Sequence, residues 1–491
     1  MKSRQLTCIT AIIVFVALAV PIQLAAQQSR YKLIDIGTFG GPSSTVPGPS
    51  VVIVSNRGAI VGAADTPTSD SPDCFFDDCF IQHGFTWQKG VMTDLGALPG
   101  GNSSFPNWIS ETGWIVGVSE NGQIDPLAGV PEIDAVVWKD GQIINLGTLG
   151  GNQSFGFSIN NRGQAVGLAQ NAIPDPFSLF GLGTQSRAFL WQNGVMQDLG
   201  TLGGPDAIAG SLNEAGQVDG ASYTNSTPNP ITLVPTLDPF FWENGRMIDL
   251  GTLGGTFGSS TFMNDRGQVI GTSNLSGDLA FHPFLWDHGV LSDLGTLGGN
   301  NGTPLWINNA GEVVGEADLP SGAPDVHHGF LWRKGVMTDL GTLGSTSHAT
   351  TINSKGQIVG RSRIGPANSS LQHAFLWENG GPIIDLNTLI PPNSPLLLTD
   401  AEYINDRGEI AGSGLDVNGN LHAYLLIPCG QGIQGCGAAA QGTTATRDGL
   451  VPTLKPSMKP EVPRTINELI AGWRARMAER HHVPNLGAPR E

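Results

Sequence analysis

Self-similarity constrains this chain more than any other feature of its sequence. A heptad of the form Asp-Leu-Gly-Thr-Leu-Gly-Gly recurs every 44 to 59 residues, with copies that begin at Asp35, Asp94, Asn145, Asp198, Asp249, Asp293, Asp339 and Asp385. A second segment of the form Ile-Asn-x-x-Gly follows each copy, and a third segment typified by His-Ala-Phe-Leu-Trp follows the second. Because a repeat of this length cannot bury its apolar residues alone, we expect the units to stack around a shared core.

The pattern inside each unit is typical of strands. Apolar residues come in runs of about five, bounded by Gly, Asn or Asp, without the 3.6-residue period of a helix. Gly and Pro together supply 101 of the 491 residues (68 plus 33). Pairs that favour type I′ hairpins separate the third segment from the next heptad, at Asp140-Gly141, Asn193-Gly194, Asn244-Gly245 and Asn379-Gly380. The sequence therefore predicts four strands per unit.

The ends of the repeat region predict how the units are arranged. The last unit stops at Tyr424-Leu425-Leu426 without its usual final strand, and Tyr31–Ile34 supplies a strand that belongs to no other unit. Pairing of these segments would remove two exposed sheet edges. We predict an all-β fold, an eight-bladed β-propeller of four-stranded blades closed by the N-terminal strand, over residues 27–436. An open superhelix is the alternative.

The N-terminal segment predicts export. Residues 1–26 combine Lys2 and Arg4 with an apolar run that starts at Cys8 and ends at Val20. This run is shorter than the about 20 residues that span a bilayer, so we expect a cleaved signal peptide and not a membrane anchor. No later segment has the length and apolar character of a transmembrane helix. The predicted location is secreted, either extracellular or periplasmic.

Export places the cysteines in an oxidising compartment. Apart from Cys8, they form two close pairs, Cys74 with Cys79 and Cys429 with Cys436, and each pair is expected to form a local disulfide. Metal binding by these pairs is the alternative, although zinc sites usually have shorter spacings.

The C-terminal region differs from the repeats. Residues 437–464 are predicted to be a flexible linker, and residues 465–482 a short amphipathic helix whose apolar face includes Leu469 and Trp473. We expect this helix to dock on its own propeller or to mediate self-association with a second copy. A helix lying on a membrane surface is the alternative.

The repeats resemble a known family. The combination of His373-Ala374-Phe375-Leu376-Trp377 with the heptad and the Ile-Asn-x-x-Gly segment is similar to the HAF-repeat family of bacterial extracellular proteins. The resemblance covers about residues 31–428 and implies an exported repeat protein, without an established activity or ligand. Asp134, Arg187 and Asp238 stand where the first residue of the triplet is elsewhere histidine, so a function that needs a complete ring of histidines is not implied.

The recurring polar residues are expected to build the scaffold. A pair of Asp and His that returns in several units fits a buried turn better than a single asymmetric catalytic site. The asparagines of the second segment are expected to hydrogen-bond nearby backbone. Trp108 and Trp306 precede that segment in two units, and core packing is expected there, with stacking on a sugar as the alternative.

Function is therefore expected where the repeat is broken. Connections between the second and third segments lengthen from about nine to twelve residues in units five to eight to about 15 to 20 in units one to four, and long loops on a rigid scaffold often carry recognition. All of these loops join the same pair of strands and should emerge on one face. Their acidic and aromatic residues are the predicted ligand-binding set: Asp73, Phe75, Phe76, Asp77, Asp78, Glu120, Asp125, Glu132 and Asp175.

These features favour a binding function over catalysis. The formal net charge of −17 disfavours nucleic acid as a partner, because phosphate recognition needs clustered Lys and Arg. An extracellular glycan or protein is the predicted partner. The alternatives are a structural component of the envelope or matrix without a specific ligand and, less favoured, a glycan hydrolase or lyase. No cofactor is predicted, and calcium binding by the loop acids stays open.

Overall fold

The chain folds into antiparallel β-sheets that follow one another along the sequence. The computed structural model describes residues 30–70, 80–127, 129–179, 181, 183–230, 234–320, 326–366, 369–430 and 436. Within these ranges the fold is all-β, with a 3-10 turn at Leu386–Thr388 and no α-helix. No helix in the described ranges is long and apolar enough to cross a membrane. The predicted signal peptide, the linker, the C-terminal helix, and Cys74 with Cys79 lie outside the described residues.

Each of the first four units forms four strands that pair in chain order. The strands are β2 (Ser44–Thr45), β3 (Ile60–Ser69), β4 (Phe80–Gln88) and β5 (Val91–Asp94) in unit one, β6 (Ser104–Ile109), β7 (Ile115–Ile124), β8 (Pro131–Lys139) and β9 (Gln142–Asn145) in unit two, β10 (Gly150–Ile159), β11 (Ala165–Pro174), β12 (Thr184–Gln192) and β13 (Val195–Asp198) in unit three, and β14 (Ala207–Leu212), β15 (Val218–Tyr223), β16 (Leu237–Glu243) and β17 (Arg246–Asp249) in unit four.

Units five to seven repeat this plan, and a parallel bridge between Leu237 and Phe257 links the sheets of units four and five. The strands are β18 (Gly254–Met263), β19 (Val269–Leu275), β20 (Phe281–Asp287) and β21 (Val290–Asp293), then β22 (Gly302–Ile307), β23 (Val313–Asp318), β24 (His327–Arg333) and β25 (Val336–Asp339), then β26 (Ser347–Ile352), β27 (Ile358–Arg363), β28 (Gln372–Trp377) and β29 (Ile384–Asp385). Repeated four-stranded antiparallel sheets of this kind are typical of a β-propeller.

The last sheet combines the two ends of the described chain. Its strands are β30 (Leu397–Ile404), β31 (Ile410–Leu415), β32 (Leu421–Pro428) and, at the edge, β1 (Tyr31–Asp35). β1 pairs antiparallel with β32, with Tyr31 opposite Pro428 and Ile34 opposite Leu425. A disulfide joins Cys429 and Cys436 just after β32.

The predicted hairpins are present in the register that the sequence indicated. Asn193 and Gly194 both have positive φ, at 52° and 82°, as a type I′ turn requires. Trp191 lies opposite Met196 across this hairpin, and the equivalent pair in unit six is Trp332 and Met337. These hairpins connect the third and fourth strands of a unit.

An aromatic ring and a glycine fix how the second and third strands of a unit pack. Phe85 on β4 and Phe284 on β20 are fully buried. A Cβ on Gly62 would lie 2.7 Å from the ring of Phe85, and one on Gly271 would lie 2.6 Å from the ring of Phe284. In every unit the nearest atom to such a Cβ is a backbone oxygen of the paired first strand, at 1.9 to 2.2 Å, which explains why the second strand carries Gly at this position throughout.

Asparagine side chains join neighbouring sheets at one end of the strands. Six asparagines, which we call the asparagine belt, each donate Nδ2–H to the backbone oxygen of the equivalent residue in the next unit, at 3.0 to 3.3 Å. They are Asn160, Asn213, Asn264, Asn308, Asn353 and Asn405. Asn405 donates to Ser55 of unit one, so the belt connects the last sheet with the first. The predicted backbone role of these amides is confirmed.

Within its own unit, each belt amide also holds the turn between the first two strands. Asn264 Oδ1 accepts hydrogen bonds from the backbone N–H groups of Arg266 and Gln268, at 3.0 and 3.1 Å. In units one and two the same position is Ser55 and Ser110, whose hydroxyls accept the local bond only. Asparagine therefore supplies one function that serine lacks, the donor to the next sheet.

Removal of a belt amide is expected to destabilise the fold. Asn264→Ala leaves the two turn N–H groups without their acceptor and removes one of the two hydrogen bonds to the Asn308 backbone oxygen, so the free energy of unfolding should fall by about 2 kcal/mol. Asn264→Ser restores the local bonds and should cost less than the alanine variant. Urea unfolding monitored by tryptophan fluorescence measures both, and a serine variant as stable as the unsubstituted protein would contradict the role of the inter-sheet donor.

Candidate functional site

A cavity of about 280 Å³ lies at the end of the strands where the belt is found, and residues of all eight units line it. Its floor is formed by residues that end the first strand of each unit, including Ile159, Met263 and Ile352. These segments are the ones that the sequence placed innermost. The cavity is therefore positioned by the shared axis of the repeats.

Four aromatic side chains pack together across this floor. Phe262 stacks between Trp306, at 4.0 Å between ring centroids, and Trp108, at 6.0 Å, and Tyr403 meets Trp306 edge-on at 5.5 Å. Both Trp108 and Trp306 are at least 92% buried, with exposed fractions of 7% and 8%. The expected core role of the two tryptophans is confirmed. Each packs a ring face against Phe262, so that face is not open to a sugar.

The rim of the cavity is formed by the residue that follows each belt position. This acidic rim consists of Asn56, Glu111, Asn161, Glu214, Asp265, Asn309, Ser354 and Asp406. It contains four carboxylates, and among the described residues none of those lining the cavity is Lys, Arg or His. The lining therefore presents only negative charge to a group that enters, and the nearby guanidinium of Arg162 offsets part of it at Glu214.

Hydrogen bonds along the rim hold its side chains in place. The backbone N–H of Asn56 donates to Glu111, that of Asn161 donates to Glu214, and that of Ser354 donates to Asp406 at 2.9 Å. Each bond connects one unit with the next, so the carboxylates are oriented by their neighbours' backbone. Such preorganisation reduces the entropy lost when a ligand binds.

Electrostatic coupling around the rim is visible in Glu214. Burial raises the pKa of its carboxyl, the N–H of Asn161 opposes this, and the negative charges of Asp265 and Glu111 raise it further. A bound cation would relieve this repulsion. No pattern in the sequence singled out these rim acids, because the rim position, two residues after the end of the first strand in units two to eight, carries acidic and neutral residues in different units.

The described acids of the long loops lie towards the ends of the strands opposite the cavity, and their carboxylates accept hydrogen bonds from the protein. Asp73, Phe75, Phe76, Asp77 and Asp78 lie outside the described residues. Glu120 is 5% exposed and accepts hydrogen bonds from the backbone N–H groups of Asn102 and Ser103, at 2.9 and 3.2 Å. Burial raises the pKa of its carboxyl. Its oxygens stabilise the loop backbone.

Asp125 and Asp175 are also buried, and the side-chain partners of Asp125 lie in the next unit. Asp125 is fully buried and accepts hydrogen bonds from Asn152 Nδ2 at 2.9 Å and Gln153 Nε2 at 2.8 Å. Asp175, 6% exposed, accepts a bond from the backbone N–H of Phe177. Glu132 is half-buried and accepts a bond from Asn121 Nδ2 at 3.2 Å. The structure thus does not bring the four described acids together, and their assignment as ligand contacts stays a prediction.

The recurring Asp and His residues form local pairs. The Nδ1 atom of the third-segment histidine lies 2.7 to 3.0 Å from the aspartate of the following heptad, in the pairs His83–Asp94, His282–Asp293, His328–Asp339, His373–Asp385 and His422–Asp35. The same aspartates accept a bond from the backbone two residues on, as Asp94 does from Gly96. Hydrogen bonding to Asp94 raises the pKa of His83. These contacts support the predicted structural role.

Units that lack the histidine show how this contact adapts. Arg187 forms an ion pair with Asp198, and Asp134 accepts a hydrogen bond from Asn145, the one heptad that starts with an amide. Asp238 instead faces Asp249. Burial, followed by the charge of Asp249, raises the pKa of Asp238 to about 6, and its Oδ1 has no hydrogen-bond partner.

Comparison with known proteins gives distant similarities. No model of a protein family matches the sequence, and no curated protein matches it. The fold is similar to the β-propeller domain of the Trilobed protease from Pyrococcus furiosus, at 8% identity and a TM-score of 0.42 over 70% of this chain and 95% of that chain. TolB from Acinetobacter baumannii is 12% identical, with a TM-score of 0.30 over 64% of this chain and 79% of that one. The GH74 enzyme of Niastella koreensis is 11% identical, with a TM-score of 0.21 over 78% and 74%. The strand pairing described above, and not these similarities, defines the fold.

The carboxylate of Asp238 is expected to weaken the fold at neutral pH. Burial raises the pKa of Asp238 in the folded protein from 3.8 to about 6. Above pH 6 the carboxyl is charged in both states, and the charged form is less stable in the folded state, so folding is weakened there. Asp238→Asn should raise the free energy of unfolding at pH 7 by about 1 kcal/mol, and this gain should shrink as the pH falls from 6 towards 4. Urea unfolding at pH 4, 5, 6 and 7 measures it, and a gain independent of pH would contradict the assignment.

Proposed function

We propose that this protein is an exported binding scaffold, a closed eight-bladed β-propeller that receives a cationic group of an extracellular protein in the cavity at its belt end. The observation that carries the proposal is the acidic rim, with four carboxylates and no basic residue among the described residues that line a cavity to which every unit contributes. The cationic group is a lysine or arginine side chain of a basic segment. Export and the HAF-type repeat are part of this proposal and follow from the sequence.

Closure of the ring is supported by contacts between the first and last units. β1 completes the sheet of β32, Asn405 donates to Ser55, and the backbone N–H of Ala423 donates to Ser44 Oγ at 3.0 Å. Eight units that contribute in turn to one cavity also favour a ring over an open superhelix. With the ring closed, the acidic rim is continuous.

A cationic ligand is favoured by charge and by size. Several carboxylates that share one rim create a potential that concentrates cations and raises their rate of association. A volume of about 280 Å³ is at the lower end of what drug-sized ligands fill, so one extended side chain fits better than an oligomer. The net charge of −17 would steer a basic segment in the same direction.

A protein partner is favoured over a glycan by the state of the aromatic residues. Sugar recognition uses an open aromatic face, whereas Trp108, Phe262 and Trp306 present their faces to one another. A basic side chain, by contrast, needs only the rim carboxylates and the edge of the aromatic floor as its contacts. The acidic and aromatic stretch from Asp73 to Asp78, in the long connection of unit one, remains a second proposed contact.

Binding of a cation is tested with short peptides. A Gly-Lys-Gly peptide should bind the purified protein with 1:1 stoichiometry by isothermal titration calorimetry, and the acetyl-lysine peptide should bind at least tenfold more weakly because its charge is removed. Glu214→Gln and Asp265→Asn should each weaken binding several-fold. Affinity should also fall with added salt and as the pH drops through the raised pKa of Glu214.

A matched control separates the rim from overall charge. Asp140→Asn removes one negative charge from an exposed hairpin turn, in which sister units already carry asparagine, and should leave affinity unchanged. Equal binding of both peptides, or equal effects of the rim and control variants, would overturn the proposal. Failure to bind any peptide or glycan would favour a structural role in the envelope or matrix.

Closure is tested by removing the strand that completes the last sheet. A chain that begins at Ile36 lacks β1 and leaves the edge of β32 open, whereas one that begins at Arg30 retains it. The shorter chain should unfold more than about 5 °C lower and should self-associate through the exposed edge. Circular dichroism and light scattering measure these properties, and identical melting of the two chains would contradict closure.

A further inference from the structure

A second cluster of chemically active side chains lies between the sheets of units six and seven, at the end of the strands opposite the cavity. Glu316 lies on β23, His327 begins β24, and His348 lies on β26. Their ligand atoms all lie within 4.8 Å of one another. The Nε2 atoms of His327 and His348 are 2.9 Å apart, His327 Nε2 is 4.0 Å from Glu316 Oε2, and His348 Nδ1 contacts the same oxygen.

The register places these three residues at positions that recur in every unit. Glu316 pairs with Gly329, and His348 pairs with Arg361, so each position is fixed by the sheet ladder. Three such positions meet at each junction between one unit and the next. The composition of the eight junctions can therefore be compared directly.

Most junctions are filled by apolar or small polar side chains. The junctions that follow units one to five contain Ala63, Gln82 and Phe105; Val118, Ile133 and Phe155; Leu168, Ser186 and Ile208; Ala221, Leu237 and Ser259; and Thr272, Phe281 and Thr303. The eighth contains Ser413, Leu421 and Thr45. Three metal-ligating side chains meet at the junction between units six and seven and at no other junction.

The junction between units seven and eight serves as an internal comparison. Its three residues are Arg361, Gln372 and Asp400, and Gln372 Nε2 donates to Asp400 at 2.9 Å while Arg361 Nη1 lies 3.5 Å from the same carboxylate. The three positions are thus close enough for direct contact. At this junction, the hydrogen bond from Gln372 and the charge of Arg361 satisfy the carboxylate of Asp400, so no ion is needed.

We propose that Glu316, His327 and His348 bind a divalent transition-metal ion, with zinc as the best fit, and that this ion joins units six and seven. Two imidazoles and one carboxylate form the donor set of many open zinc sites, in which a fourth position holds water or substrate. The side chains are 19 to 26% exposed, so solvent or an anionic group of a ligand can reach that position. This proposal is independent of the cation-binding cavity.

The donors and their surroundings fit zinc better than calcium. Calcium takes six to eight oxygen ligands, whereas this cluster offers two imidazole nitrogens. Ligand atoms bound to one zinc lie at most about 4 Å apart, so a small rotation of the side chains would bring the cluster into range. The charge of Arg361 reaches Glu316 and His327, but the guanidinium lies 3.5 Å from Asp400 and 3.8 Å from Glu402 of unit eight, which offset that charge.

The proposal is tested by metal binding to the full chain, purified with a tag that contains no histidine. After treatment with a chelator and its removal, the protein should bind one Zn²⁺ per chain by isothermal titration calorimetry, and Zn²⁺ should raise its melting temperature. Co²⁺ should give the visible absorption of a four- or five-coordinate site. Ca²⁺ at the same concentration should do neither.

Variants chosen from sister units locate the site. Glu316→Thr, His327→Gln and His348→Ser place residues that the fold already accommodates at equivalent positions, and each should weaken Zn²⁺ binding at least tenfold while the metal-free protein melts normally. His83→Arg, which copies the Arg187–Asp198 pair, is the control and should leave binding intact. Absence of stoichiometric Zn²⁺ binding, or binding that survives the three variants, would overturn the proposal.

Discussion

The fold depends on a hydrogen bond that one sheet makes to the next through an asparagine amide. A four-stranded sheet has two faces to bury, and hydrogen bonds of its own ladder do not determine how a second sheet lies against it. The belt amides supply that information, because each Oδ1 holds its own turn while each Nδ2 reaches the neighbouring turn. One side chain thus couples local structure to the arrangement of sheets. A hydroxyl at the same position, as in Ser110, accepts the local bond but is too short to donate to the next sheet.

The other conspicuous repeated residues make structural contacts of the same kind. Glycine under an aromatic ring, aspartate paired with histidine, and asparagine in the belt each satisfy a contact that recurs in most of the sheets. Once satisfied internally, these groups have little capacity left for a ligand. Chemical specificity is then left to positions where the backbone repeats but the side chain does not, namely the rim residue after the belt and the three junction positions.

The sequence was sufficient to predict strands, hairpins and register, because each is determined by residues near one another in the chain. Asn193-Gly194 predicts its turn locally, and the register that opposes Trp191 and Met196 follows from it. The candidate sites were not predictable in this way. Glu111 and Asp406 are nearly 300 residues apart in sequence and share a rim only because the units are stacked around one axis. Loop composition identified Glu120 as acidic but not that two backbone N–H groups would bind its carboxylate.

The junctions show how one backbone geometry accommodates different chemistries. Around units one to four the three positions belong to an apolar cluster that includes Phe105, Val118 and Leu168, which stabilises the sheets by excluding water. Between units seven and eight the same positions hold a hydrogen-bonded carboxylate, Asp400. Between units six and seven they hold two imidazoles and a carboxylate, groups that are costly to bury together unless a partner satisfies them. Because the ladder fixes the Cα positions in all three cases, a change of side chains alone converts a packing contact into a potential metal site. A repeat scaffold can therefore acquire a single asymmetric site without any change in its fold.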